Sequence, residues 1–317
     1  MLDEVPVRHG TQGSRCESSP QDRVFRYHGL VSQPKARALI FDLLGDYVRF
    51  SGGEIRLKAL VALGEQLGIS SPTMRVTVAR MRQEKWLEVR REGRESIYSL
   101  TVKCLRLLDE GRQRIFRDEP PAWSGEWSMV IYTVPESDRP TREQLRRDLA
   151  WLGFGSLAPA TWVSPHPLLD RVAEIGAALP NARLELVKMR ASDIAADRSI
   201  AARCWDLAAL NTEYAAFIRE VRLQLPNYRS GRLDGAESLV ARIELLHSYR
   251  HFPYRDPGLP ADLQPAGWLG EQARVLFNEA HELLAPTAQA HYESIVRATM
   301  GEEADDQTAS STSRRAS

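Results

Sequence analysis

The sequence is short of the residues that build covalent or metal-held scaffolds. Its 317 residues include three cysteines, Cys16, Cys104 and Cys204. They are odd in number and far apart, and no Cys-x-x-Cys pair occurs. That excludes a disulfide framework and the common zinc spacings, and it predicts a reduced, cytoplasmic setting. No run of about 18 apolar residues occurs, so no segment is expected to span a membrane. The opening residues MLDEVPVRHGTQGSRCESSPQDR lack the apolar stretch of a secretory signal. Excess charge is absent too: 42 Lys and Arg balance 42 Asp and Glu. A neutral chain is not an indiscriminate nucleic-acid glue. Finally, no nucleophile, base or metal-ligand constellation stands out, so no catalytic residues, cofactor or bound metal are expected and the chain is read as a non-enzyme.

What is present is a local excess of positive charge. From Arg75 to Arg117 twelve Lys or Arg face six acids, a local charge of +6. Such a face can hold phosphates, although a solvated charged surface has the same composition. Length predicts two or three domains. Residues 1–26 and 300–317 are polar and rich in Ser and charge, and are expected to be disordered.

The first folded unit is expected over residues 27–119. Ala38, Leu39, Ile40, Leu43, Leu44 and Tyr47 predict a helix from Pro34 to Tyr47, and RLKALVALGEQLG predicts a second. Ser70 or Ser71 can cap a third, with Pro72 in its first turn. On a helical wheel Met74, Val78 and Met81 fall on one face and predict core. Thr73, Val76, Arg80 and Gln83 fall opposite, with Arg75 and Arg82 on the flank. That set suits a major groove: arginine can bridge guanine O6 and N7, glutamine can pair with adenine, and Val76 or Thr73 can touch a thymine methyl. Ser71, near the helix N-terminus, can meet a phosphate. Two strand-like runs follow, Trp86–Arg91 and Ser96–Leu100, joined by a turn over Glu92–Glu95. Arg90, Arg91 and Arg94 lie at its tip. The order predicts a winged helix-turn-helix in which the third helix reads double-stranded DNA and the tip meets backbone. A further helix from Leu105 to Arg117 leads to a linker at Glu119–Ala122.

The second unit, residues 123–192, reads β-α-β-β-α-β, a ferredoxin-like order. Metal-dependent nucleases of that shape need a carboxylate at the end of the first strand. Here Glu136 and Asp138 come later, beyond Pro135, and a solvated turn fits them better. The third unit, residues 200–299, is helical, with helices predicted over Cys204–Leu225, Ala236–Tyr249, Glu271–Leu284 and Thr287–Ala298. Its loop HSYRHFPYRDPGLPADLQPAGWLG is rich in Arg, Pro and aromatics. His247 and His251 stand four apart within it, but zinc would need further ligands.

Three stretches resemble the PaaX family, repressors of bacterial phenylacetic acid catabolism. They are TMRVTVARMRQEKWLEVRREGRESIYSLT, the middle run WSMVIYTVPESDRPTREQLRRDLAWLGFGSLAPATWVSP, and HSYRHFPYRDPGLPADLQPAGWLGEQARVLF. The resemblance covers roughly residues 30–295 of the chain. It implies a homodimer with an N-terminal winged helix, a central domain similar to the ferredoxin-like CRISPR adaptation nuclease, and a helical C-terminal domain. It also implies release from operator DNA by an acyl-CoA effector, phenylacetyl-CoA. An activator of the same family is the alternative reading. The chain departs from the pattern at Val76–Ala79, which is more β-branched, and in its long extension before Tyr27. Under this resemblance Arg250 and Arg255 can pair with coenzyme A phosphates, and Phe252, Tyr254 and Trp268 can line a slot for an aromatic acyl group. The alternative is a rigid loop that locks the helical unit onto the middle one, with the arginines in ion pairs.

Overall fold

A computed structural model describes residues 36–117 and 123–314, with side chains described to residue 300. The N-terminal extension and the Glu119–Ala122 linker lie outside the described residues. The molecule is a mixed helix and sheet protein with a helical C-terminal region.

The first unit builds on α1 (Ala36–Asp46), α2 (Leu57–Gln66) and α3 (Ser71–Gln83). Leu39, Ile40, Leu43 and Leu44 line the inner side of α1 and pack on Met74, Val78 and Met81. Gly68, at φ +74°, ends α2 in the left-handed conformation that favours glycine. The Ser70 side chain caps α3. The hairpin pairs β2 (Leu87–Glu92) with β3 (Glu95–Leu100), closed by Gly93 and Arg94. This turn is tighter than the four residues expected, because Glu92 and Glu95 pair with each other. Gly93 holds φ +59° at the first central position, as a two-residue hairpin turn requires. A third strand, β1 (Glu54–Arg56), pairs with β3. It was not expected, since three residues show no alternation. The pairing with β3 and burial of Ile55 make it a strand. The unit closes with α4 (Val102–Ile115), capped by Thr101.

The second unit contains β4 (Trp127–Thr133), α5 (Arg139–Trp151), β5 (Gly155–Ala158), β6 (Thr161–Ser164), α6 (Leu169–Ala177) and β7 (Arg183–Met189). The strand order is β5-β6-β4-β7, with every neighbouring pair antiparallel. Alternation along β4 sorts its side chains. Val130 and Tyr132 pack under α5 and α6, against Leu145, Leu149 and Val172. Trp127 and Met129 face the other way, onto Ile200 and Leu207.

The helical region departs from the expected boundaries in several places. Helix α7 (Ile194–Cys204) stands where no helix was read; α8 starts afterwards at Leu207, behind an Asp206 cap. Pro226 does not end α8 (Leu207–Ser230), and Pro286 does not split α11 (Gly270–Arg314). An interior proline costs about 3 kcal/mol. Here packing offsets that cost: Leu225 and Tyr228 flank Pro226 in the core, and Leu284 and Ala288 flank Pro286. The run expected to be a disordered tail continues α11 to Arg314, because extending a formed helix is far easier than starting one. Between α9 (Gly235–Tyr249) and α11 the aromatic loop folds into a short helix, α10 (Phe252–Arg255).

The units share cores. Leu239 and Ile243 of α9, with Ala288 and Tyr292 of α11, belong to the same buried cluster as Leu43 and Met74. The far side of α9, including Leu246 and Tyr249, packs on α8 and α11. The Tyr249 and Phe277 rings stack with centroids 4.0 Å apart. A helix amphipathic on two faces thus ties the first unit to the helical region.

Candidate nucleic-acid interface and junction cavity

Helix α3 divides as its wheel predicts. Met74, Val78 and Met81 are fully buried, whereas Thr73, Arg75, Val76, Arg80, Arg82 and Gln83 are exposed. Val76 is 53% exposed, an apolar spot among polar neighbours. Ser71 is half-buried and its hydroxyl accepts a hydrogen bond from Arg75 Nε at 3.4 Å. At the far end Glu84 follows the helix and accepts both Arg37 guanidinium nitrogens, at 2.7 and 2.5 Å. The Trp86 indole N–H donates to the same carboxylate at 3.0 Å, and Lys103 sits over the Trp86 ring. These contacts hold the angle of α3 against α1 and α4.

The three hairpin arginines are not equivalent. Arg90 pairs with Glu54 at 3.0 Å and Glu92 at 2.5 Å, so its charge is largely spent within the sheet. Its side chain nevertheless stays exposed, two residues before the turn. Arg91 and Arg94 are exposed and make no ion pair among the described residues. Beside the turn, buried Glu95 pairs with Arg56 at 3.0 Å and Lys58 at 2.6 Å. Burial pushes its carboxyl pKa up, but the two cations outweigh that and hold it below the usual glutamate value.

The five residues of the aromatic loop do not converge. Phe252 is buried and stacks on Tyr214 with centroids 4.3 Å apart, and Trp268 meets the same ring edge-on at 5.5 Å. Arg255 forks Glu213. The Tyr214 hydroxyl donates to Asp256 at 2.7 Å. Aromatic packing and a neighbouring carboxylate, both from α8 of the helical region, already engage Phe252, Arg255 and Trp268. Arg250 and Tyr254 point elsewhere. Arg250 Nε lies 2.9 Å from Asp42 on α1. The Tyr254 ring packs on Trp151 of α5 at 4.8 Å, and the Arg114 guanidinium lies over both rings.

These two residues line a cavity of about 460 Å³ where all three units meet. Phe41 of α1, Leu108 and Phe116 from α4 and its end, and Trp151 of α5 complete its apolar wall. Sequence reasoning named Arg250 and Tyr254 but missed the rest of the wall, because it comes from distant segments, the farthest more than 200 residues away. One signal was available: acids on the buried side of an otherwise apolar helix. Asp42 and Asp46 are both buried on α1. Asp42 also meets His247 Nδ1 at 2.7 Å, and Asp46 meets Arg242 and His281, each at 3.2 Å.

The residues weighed for metal and nuclease roles engage other partners. Among the described residues no three His, Cys, Asp or Glu side chains gather in metal-binding geometry. His247 turns to Asp42 and His251 to Glu213, 3.6 Å away. Asp138 caps α5 by accepting the Thr141 N–H, and it accepts from Asn181 Nδ2 at 2.7 Å. Those hydrogen bonds, Asn181 foremost, lower its pKa. No described helix is long and apolar enough to cross a membrane.

Comparisons with known proteins agree along the chain. Residues 35–104 match the family description PaaX-like protein, residues 120–201 the PaaX protein central Cas2-like domain, and residues 205–294 the PaaX-like protein C-terminal domain. The chain is similar to the Transcriptional repressor PaaX of Escherichia coli (strain K12), 34% identical over 285 residues. That match covers 88% of this chain and 90% of the relative. In fold it is similar to the solved structure of the uncharacterized protein Rv0674 from Mycobacterium tuberculosis. There the TM-score is 0.54 at 23% identity, covering 82% of this chain and 99% of the other. With three successive family models in order and a repressor relative along nearly its whole length, the chain belongs to the PaaX family of transcriptional repressors.

Proposed function

We propose that this chain represses an aromatic, phenylacetate-type catabolic operon. Residues 36–117 act as a winged helix-turn-helix. Helix α3 enters the major groove, and the β2–β3 hairpin brings Arg91 and Arg94 to the backbone. The observation that carries this reading is the outer face of α3. Thr73, Arg75, Val76, Arg80 and Gln83 are all exposed, and none is held by an acidic side chain among the described residues. Such a face has donors for guanine and adenine edges and an apolar spot for a thymine methyl. The ferredoxin-like middle unit is a support rather than a catalyst: β4 ends at Thr133 without a carboxylate, and Asp138, beyond Pro135, is occupied as a helix cap. The protein works as a homodimer, which presents two α3 helices to two half-sites.

An aromatic acyl-CoA, phenylacetyl-CoA or a close relative, releases it from the operator. The effector acts by favouring a conformation whose two heads no longer match the DNA. The test is fluorescence anisotropy of labelled DNA from upstream of aromatic catabolic genes, with the full chain. The expected result is salt-sensitive specific binding that phenylacetyl-CoA reverses. Binding indifferent to sequence would remove the repressor reading. Specific binding indifferent to the thioester would remove the effector alone.

A further inference from the structure

We propose that the junction cavity between α1, α4, α5 and the α9–α10 corner is the effector site, and that an anionic ligand there competes for the arginines that hold α1. The inference rests on the effector-release reading above and places it in the molecule.

Size and lining come first. A volume of about 460 Å³ lies within the roughly 300–1,000 Å³ of small-molecule sites. Phe41, Phe116, Trp151 and Tyr254 bring four rings from three units to its wall, which suits a flat aromatic group. A second depression, of about 740 Å³, lies on the central sheet beside Trp162 and touches neither α1 nor α4. A ligand there has no direct path to the first unit.

Charge comes second. Arg112 lines the cavity and Arg114 borders it, stacked on Trp151 and Tyr254. Neither has a carboxylate ion pair among the described residues; both rest on aromatic faces instead. Burial of Arg114 lowers its pKa, the mark of a cation short of a counter-charge. Guanidinium groups suit phosphate oxygens. The aromatic acyl end therefore sits inside, and the phosphate-bearing end lies along Arg112 and Arg114.

Coupling comes third. Two cavity residues on α1 are the ends of its tethers. Arg37 holds Glu84 at the C-terminal cap of α3, and Asp42 is held by Arg250 and His247. A ligand anion or thioester carbonyl that draws Arg250 frees Asp42, and one that draws Arg37 frees Glu84. Either change alters how α3 is carried, because α1 and α3 share one core. Binding and release are then linked reciprocally.

The experiment is calorimetric titration of the full chain with phenylacetyl-CoA, with phenylacetate and coenzyme A alone as controls, beside operator anisotropy. Leu107→Trp fills the cavity from a half-exposed position on α4. It should keep operator affinity within about twofold and weaken the thioester more than about tenfold, roughly 1.4 kcal/mol. Asp42→Asn should still bind the thioester, while the ratio of operator affinities without and with ligand shrinks toward one. Wild-type thioester affinity in Leu107→Trp, with release intact, would put the site elsewhere and leave the effector reading standing. A wild-type chain that binds no phenylacetyl-CoA would remove both. An unchanged release ratio in Asp42→Asn would remove the coupling route.

Discussion

Asp46 on α1 and Arg242 on α9 meet with Oδ2 and Nε 3.2 Å apart, their side chains only 3% and 11% exposed. The pair joins residues 196 positions apart and lies beside the Tyr47–Tyr292 contact, whose centroids are 4.9 Å apart. The first unit and the helical region therefore behave as one body in packing, although they are successive units in sequence.

Breaking that pair should be costly. Asp46→Ala leaves the buried Arg242 charge without its carboxylate, an effect of about 3–5 kcal/mol. Because the cluster spans α1, α3, α9 and α11, helix content and Tyr and Trp fluorescence should be lost together in urea. Two separated transitions would show that the first unit folds independently of α9.

The surface arginines should separate by role. Arg80→Ala should weaken specific DNA by about 1–3 kcal/mol and relax preference at one base position. Arg94→Ala should weaken all sequences alike and reduce the salt slope by about one. Arg90→Ala should do less than either, since Glu54 and Glu92 already hold that side chain. Anisotropy titrations across a salt series, on operator and scrambled DNA, distinguish the three.

Acid should loosen the hairpin beside its turn through Glu95. Its folded pKa is depressed from the ordinary 4.5 by Lys58 and Arg56 against the pull of burial. A depressed carboxylate stabilises the fold fully above its unfolded pKa, and this is lost as pH falls through the folded value. Melting temperature should therefore drop below about pH 4.5, and Glu95→Gln should flatten part of that drop. An identical acid limb in the variant would exclude Glu95 as a contributor.

Cys104 and Cys204 should be inert. Burial pushes both thiols up to about 11. At pH 8 about one in a thousand is thiolate, the reactive form. Mass spectrometry after iodoacetamide treatment should find both unmodified in the native chain and modified in urea. Rapid native labelling would contradict the packing at either position.

How much was legible depended on the range of the interaction. The faces of α3 follow from local periodicity, and the sequence signals for Met74, Val78 and Met81 were correct. Strand β7 (Arg183–Met189) supplies the last strand of the β-α-β-β-α-β order read for the second unit. The missed features were long-range. β1 exists through its pairing with β3. Pro226 and Pro286 stay helical because their neighbours are buried across the bundle. Arg255 and Trp268 looked available because Glu213 and Tyr214 lie about 40 to 55 residues earlier in the chain. The cavity has no linear signature at all, except two buried acids on an apolar helix face.

The most direct test of the central claim is a footprint on DNA upstream of the chain's own gene and its neighbours. The wild-type chain should protect two half-sites, centred about one helical turn or a multiple of it apart. The Arg75→Ala, Arg80→Ala, Gln83→Ala triple variant, which keeps the buried face of α3, should lose that protection. A footprint unchanged in the triple variant would show that α3 is not the reading helix.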